Sequence, residues 1–398
     1  MATSLYELFD IRADYTIDIQ RRATDTLNDN EPVNNSCSLS LLSSQLLEKV
    51  SNIMSNIDAS VVLVHGDTSS ALISAMAAFY QKIPVAHVEA GLRSHNEYNP
   101  FPEEMNRVLI ARLARWHFLP TQTTRKNLLD EGVADSKIHV VGNTIVEAAE
   151  LGARKLNGNI GKYSGHNSGL IEEITPRLPK MKMIMVTVHR RENQETNIAF
   201  IAQAILELMK KHSDLLVVWP IHPNPVVQNA VHGALQNLPE SILNRLYLTE
   251  PLDYPVLLWM LKNSWVVLTD SGGIQEEAVA LHTPVLVLRD TTERPEIIEA
   301  GAGKLIGTDK QNIITQVDKL IYDTVLYQTM CKVNNPYGNG TTATKICKIL
   351  YNDQSQEEFL QRTVSFKQAF MARKSHSLVL QQLILEKTKQ FHKKHAVN

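Results

Sequence analysis

The chain has 398 residues, 43% of them hydrophobic, more than one ordinary core accommodates, so two domains are expected. Forty basic residues against forty-two acidic ones leave a net charge of −2, which excludes the field that would gather nucleic acid or an anionic membrane. Cys37, Cys331 and Cys347 are widely spaced and form neither a disulfide framework nor a metal knuckle. With no 18-residue apolar run and no basic-then-apolar N-terminal segment, the expectation is a cytoplasmic protein.

In chain order, short apolar runs alternate with longer amphipathic ones. Ser60–His65 reads as a buried strand and Ser69–Gln81 as the helix after it. Ile83–Val88 is the next strand, Glu103–Leu113 the next helix, and Ile138–Val141 another strand. A stretch rich in Gly and Pro, Asn157–Lys182, then interrupts the rhythm and reads as a linker. Strands resume at Met183–Val188, Leu215–Trp219, Trp265–Thr269 and Pro284–Leu288. The fold class is therefore α/β, with two Rossmann-like, doubly wound domains facing across a cleft. The expected division is residues 1–156, a linker over 157–182, a second domain over 183–352 and a helical C-terminal extension over 353–398.

Polar residues gather where these strands end. His65-Gly66-Asp67-Thr68 closes the first strand, Glu89-Ala90-Gly91-Leu92-Arg93 the second, and Pro102-Glu103-Glu104-Met105-Asn106-Arg107 opens the following helix. In the second half, His189-Arg190-Arg191-Glu192-Asn193 and His222-Pro223-Asn224-Pro225 close two more strands. Singly, each has a plain alternative: Asp67 fits a helix N-cap, Glu103 and Glu104 complement a helix dipole, and the histidines fit polar loops. Unrelated caps need not all fall at the carboxyl edges of two sheets, which is where α/β folds bind ligands. Ser271-Gly272-Gly273, between a strand and a helix, offers backbone N–H groups to an anion. Arg294, within Asp290-Thr291-Thr292-Glu293-Arg294-Pro295-Glu296, adds a guanidinium fork. Two phosphate-directed features in succession point to a nucleotide-linked small molecule. Without a Cys-x-x-Cys pair, a Gly-x-Ser-x-Gly elbow or a Gly-x-Gly-x-x-Gly fingerprint, no metal, acyl-transfer nucleophile or nicotinamide cofactor is expected.

These motifs, with Val141-Gly142-Asn143-Thr144 and Thr269-Asp270-Ser271-Gly272-Gly273-Ile274-Gln275-Glu276-Glu277, resemble the non-hydrolysing UDP-N-acetylglucosamine 2-epimerase family over roughly residues 5 to 352. The resemblance implies a fold like that of the two-domain GT-B glycosyltransferases. It also implies an isomerase, without bound cofactor or metal, that interconverts UDP-GlcNAc and UDP-ManNAc as a homodimer serving polysaccharide biosynthesis. Asp67, Glu89, Glu103 and His189 match the family's catalytic positions. Arg107, Ser271, Gly272, Gly273, Glu277 and Arg294 match its UDP-sugar-binding positions, with Glu277 on the ribose hydroxyls.

The chain departs from the family pattern at both ends. The family's opening strand, Gly-Thr-Arg-Pro-Glu loop, helix and second strand have no counterpart before Leu8, so the N-terminal domain is expected to be truncated by one βαβ unit and to carry an unpaired apolar edge. That departure keeps two alternatives open. One is a catalytically impaired UDP-sugar-binding relative acting with an intact copy. The other is a hydrolysing 2-epimerase.

Overall fold

The computed structural model describes residues 2–19, 35–163, 165–190, 196–235, 238–292 and 294–353. The expected extension beyond Asp353, residues Arg191, Glu192 and Asn193 of the histidine motif, and Glu293 lie outside them. The chain forms two compact units: Ile11–Thr144 with Thr341–Asn398, and Ile145–Gly340 with Met1–Asp10.

The first unit holds a parallel sheet of β1 (Val62–His65), β2 (Val85–Val88), β3 (Trp116–Leu119) and β4 (Ile138–Val140), in that order across the sheet. Among the described residues the strand order runs one way without the reversal of a doubly wound sheet. Among the described residues β1 pairs with β2 alone, and its Leu63 is 50% exposed. Alternation along a strand sends neighbours to opposite faces. Accordingly, Val64 and Val85 join Leu46, Val50, Met54 and the alanines of helix Ser69–Tyr80 in one core cluster. Ala86, Val88, Trp116 and Phe118 join Ile346 and Leu350 in another. Leu46, Val50 and Met54 recur every four residues along helix Asn35–Ser55, one face of an α-helix. The alanines at 71, 75, 77 and 78 let helix Ser69–Tyr80 come close to its neighbours, and the Thr68 hydroxyl caps its start by accepting from the Ala71 amide at 3.2 Å.

Ile346 and Leu350 lie on helix Thr342–Asn352, so the chain returns to this first unit after Gly340. The helix is tied there by polar contacts at each end. The Thr342 hydroxyl donates to the Val141 carbonyl at 3.3 Å, and the Trp116 indole donates to Asp353 at 2.8 Å.

Among its described residues the second unit carries six parallel strands in the order β10-β9-β8-β5-β6-β7. They are β5 (Lys182–Thr187), β6 (Leu215–Pro220), β7 (Leu246–Thr249), β8 (Val266–Thr269), β9 (Val285–Val287) and β10 (Gly303–Leu305). Read from β7, this is the 3-2-1-4-5-6 order of a Rossmann sheet, with its switch point between β5 and β8. Both faces are covered: Ile184 and Val186 enter one core cluster, Met183 and Met185 the other. That explains why these strands read as unbroken apolar runs. No described helix is long and apolar enough to cross a membrane.

The division differs from the expected one. Residues 157–182 are not an open linker: they form short helices, and Ile171 and Ile174 of helix Ser168–Ile174 are buried in the second unit's core. Helix Thr144–Leu156 packs there too, through Val146, Ala149 and Leu156. Small and turn-forming residues in that stretch mark short, tightly turned helices.

Candidate active site

Each unit gathers polar side chains at the carboxyl ends of its strands. In the first, His65 of β1 lies in register with Val88 of β2, so the residues just beyond, Gly66, Asp67 and Glu89, emerge together. Glu89 takes a left-handed backbone conformation, φ +63°, a position that favours glycine. Its carboxylate swings over β1: Glu89 Oε2 lies 3.2 Å from His65 Nε2, and a Cβ added to Gly66 (φ +70°) would sit 3.5 Å from that oxygen. That distance is an ordinary van der Waals contact, so it is the left-handed backbone at 66, rather than lack of space, that favours glycine there.

Asp67 faces Arg107, with Oδ2 3.1 Å from Nη2. The Asn106 side-chain amide donates to the Asp67 carbonyl at 2.8 Å. Burial raises the Asp67 carboxyl above its usual range; the Arg107 guanidinium opposes this, while the carboxylates of Glu89 and Glu103 add to it. Asp67, Glu89 and Glu103 thus form one electrostatic group. Asp67 is not the helix cap, since Thr68 fills that role. Glu103 is half-buried in the first turn of its helix, whereas Glu104 beside it is 3% exposed and accepts from the amides of Ser94 and His95, each at 3.0 Å. The two adjacent glutamates therefore differ: Glu104 anchors a loop, and Glu103 belongs to the carboxylate group.

Arg107, expected to contact substrate, is buried and held by the protein. It also reaches Glu104 at 3.4 Å, and its Nε donates to the Glu103 carbonyl at 3.3 Å. Its visible work is to position the carboxylates. Arg93 is likewise structural, forming a two-pronged pair with Glu131 at 2.5 and 2.9 Å. His87, beneath the site, is 1% exposed and donates from Nε2 to the Gly66 carbonyl at 2.8 Å. Burial pulls its imidazole down to about 4, so it is neutral at physiological pH.

In the second unit the site forms at the switch point. Asp270, at the end of β8, is fully buried, and its carboxylate accepts from the amides of His189 at 3.1 Å and Arg190 at 2.9 Å. That bond fastens the end of β5 to the end of β8 and sets His189 in place, with its ring 6.3 Å from that of His222. Sequence reasoning missed Asp270 as a separate functional residue. Its signal was a single acidic residue closing an otherwise apolar strand.

Gly272 and Gly273 are the first residues of helix Gly272–Ala280, with Ser271 at the N-cap, rather than a loop ahead of it. The Ser271 amide donates to the Thr269 hydroxyl at 3.0 Å, so the anion site expected from three amides rests on those of the first helical turn. Nothing lies within 4 Å of where a Cβ on Gly273 would project. Glu277 and Glu276 are buried one turn on. The Arg294 Nε donates to Glu276, which fixes the guanidinium plane, and the Tyr254 hydroxyl donates to Glu277. Among the described residues no group of three or more His, Cys, Asp or Glu side chains is placed to hold a metal ion.

A family model described as UDP-N-acetylglucosamine 2-epimerase matches residues 5–351. A UDP-N-acetylglucosamine 2-epimerase of Escherichia coli O157:H7 is 41% identical over 354 residues, spanning 89% of this chain and 88% of that protein. The crystal structure of a Neisseria meningitidis UDP-GlcNAc 2-epimerase bound to UDP-GlcNAc is 37% identical, with a TM-score of 0.73 over 88% of this chain and 89% of that one. A Staphylococcus aureus structure with UDP is 36% identical, with a TM-score of 0.71 over 88% of this chain and 86% of that one.

Burial of Glu277 carries a pH dependence. Its carboxyl is pushed up to about 7 from the usual 4.5, chiefly by desolvation, with Glu276 adding to it and the Tyr254 hydroxyl opposing. The folded protein then binds a proton that the unfolded chain has already released. The stabilising contribution is complete below about 4.5 and is lost as pH rises through about 7. Urea unfolding of wild type and Glu277→Gln at pH 5 and pH 8 checks this. Wild type should lose more stability than the variant over that interval, and parallel losses would contradict the assignment.

Proposed function

This chain belongs to the UDP-N-acetylglucosamine 2-epimerase family, and we propose that it interconverts UDP-GlcNAc and UDP-ManNAc by elimination and re-addition of UDP. The carboxylate group of Asp67, Glu89 and Glu103 carries the proposal, because the chemistry needs such a group. The sugar's C2 hydrogen has no adjacent carbonyl, so a base cannot remove it directly at a useful rate. Breaking the C1–O bond to UDP first creates an oxocarbenium-like centre that acidifies that hydrogen. Its loss leaves a glycal, and UDP returns to C1 as a proton is delivered to the opposite face of C2.

Two acid–base groups on opposite faces are required, each contributing roughly 10²–10⁴-fold, or about 3–5 kcal/mol. Carboxylates suit the task twice, moving protons and stabilising positive charge at C1. We assign this to Asp67, Glu89 and Glu103, with Arg107 holding Asp67 in position. The first-turn amides at Gly272 and Gly273, with Ser271 at the cap, and Arg294 take the diphosphate, His189 joins the carboxylates in the catalytic set, and Glu277 takes the ribose hydroxyls. Holding the departed UDP keeps it available for return, which separates epimerisation from hydrolysis.

The protein acts, in this reading, as a cytoplasmic homodimer. The wide spacing of Cys37, Cys331 and Cys347 along the chain supports a reducing compartment. Phe101, Met105 and Leu109, exposed at four-residue spacing on and beside helix Glu103–Leu113, support an apolar contact between copies.

The direct test follows purified protein with UDP-GlcNAc by NMR. UDP-ManNAc should accumulate to an equilibrium without free ManNAc. Asp67→Asn, Glu89→Gln and Glu103→Gln should each lower kcat by about 100-fold or more with little change in UDP affinity; wild-type turnover in any one removes that residue's role. Gly273→Ala separates binding from stability. The added methyl meets open space and favours the helix by up to about 1 kcal/mol, yet it projects where the diphosphate would approach. Stability should hold or rise while UDP affinity falls by roughly tenfold; unchanged affinity by calorimetry would place the nucleotide elsewhere.

A further inference from the structure

Epimerisation leaves the enzyme in a different protonation state from the one it began in. The group that removed the C2 hydrogen keeps a proton, and the group on the other face has lost one. Before another turnover in the same direction, the first must release its proton and the second must recover one. The reaction itself returns neither. Resting on the epimerase reading above, this requirement turns attention to whichever carboxylate has a partner able to pass a proton on.

Of the carboxylates in the group, Asp67 is paired with Arg107, a guanidinium that stays protonated throughout. Glu89 is paired with His65, an imidazole whose ring nitrogens can both accept and release a proton. The two ends of that pair differ in their surroundings. The Glu89 side chain is 23% exposed, whereas His65 is 58% exposed, so the imidazole bridges a sheltered carboxylate and bulk water. We propose that His65 is the proton-exchange residue for Glu89, resetting that carboxylate between turnovers.

The step balances without any further reagent. Protonated Glu89 gives its proton to the lone pair of His65 Nε2, leaving carboxylate and imidazolium. The imidazolium then releases the Nδ1 proton to water, and exchange of the ring protons with water returns the neutral imidazole to the tautomer that accepts at Nε2. A proton returns by the reverse route when Glu89 must act as an acid, so the relay serves both directions. The backbone is built for this contact. The β1–β2 register and the left-handed turn at Glu89 bring the carboxylate back over the end of β1, where His65 stands. The groups around the pair are Asp67 on its own loop, Glu103 and Arg107 on helix Glu103–Leu113, Arg93 after β2, and His87 on β2, already neutral and committed to the Gly66 carbonyl. Among the ion pairs of the described residues, His65 with Glu89 sets an exposed imidazole against a carboxylate of the group.

A residue that resets the enzyme after product leaves has a kinetic signature unlike that of one acting in the chemical step. His65→Gln should lower kcat by about tenfold or more, with KM falling in parallel, so that kcat/KM for UDP-GlcNAc stays within about twofold of wild type. Imidazole added to the buffer should restore kcat. An unchanged kcat, or kcat/KM falling in step with kcat at constant KM, overturns the proposal. A second measurement needs neither turnover nor this variant. The His65 ring is titrated by NMR in wild type and in Glu89→Gln, and its midpoint should drop by roughly half a unit or more when the carboxylate is lost. An unmoved midpoint overturns the coupling. Absence of epimerisation by wild type would sink the functional reading, while the NMR titration would still judge the pair.

Discussion

The register between β1 and β2 is the constraint on which the carboxylate site depends. With His65 opposite Val88, Gly66 and Glu89 fall at the same level, and the Gly66 amide donates to the Val88 carbonyl at 3.0 Å. A slip of one residue would turn every side chain of the strand to the other face and bury Leu63 in place of Val64. The unusual backbone at Glu89 follows from this placement. A left-handed glutamate is strained, by about 1–3 kcal/mol in general, and survives only where its surroundings over-determine it. Here the neighbours on both sides are tied: His87 holds the Gly66 carbonyl at 2.8 Å, and the Asn127 side chain holds the Gly91 carbonyl at 2.9 Å.

The two units solve opposite problems with the same material. In the first, like charges are brought together, and Arg107, nearly buried, keeps the repulsion tolerable. Adding its bond to Glu104, that single guanidinium organises two carboxylates. In the second, acidic groups are buried one by one and each is given donors: Asp270 the amides of His189 and Arg190, Glu276 the Arg294 guanidinium, Glu277 the Tyr254 hydroxyl. Buried charges without such partners are too unfavourable to persist. The donors lie at the strand ends because that is where backbone amides leave the ladder.

Much of this was legible in the sequence, for reasons that can be named. Strands made of Val, Leu, Ile and Met, such as β5 and β8, announce themselves by unbroken apolar runs because both faces of a parallel sheet are covered. β1 reads the same way although Leu63 leaves one of its faces exposed. Helix Glu103–Leu113 has the limits its pattern predicts. By contrast β3, Trp116-His117-Phe118-Leu119, hides a buried histidine inside a four-residue strand; β7 is only partly buried; and β10, Gly303-Lys304-Leu305, is too short to show a period. The unit boundary was misplaced because Gly and Pro in residues 157–182 punctuate short helices as readily as they make linkers. Of the site, the acidic residues and the Ser-Gly-Gly turn were visible from their positions after strands. Their partners were not: whether Arg107 meets substrate or Asp67, and that His65 meets Glu89, depends on side-chain geometry across elements, which no local pattern encodes.

The account's central claim is that protons are removed from and returned to C2 by carboxylates at the ends of β1 and β2 and of the adjoining helix, in exchange with water. Running the conversion of UDP-GlcNAc in D₂O and reading C2 of the UDP-ManNAc formed tests this most directly. The account predicts one solvent deuterium at C2 in the first product molecules. Product that keeps its original hydrogen at C2 would contradict it.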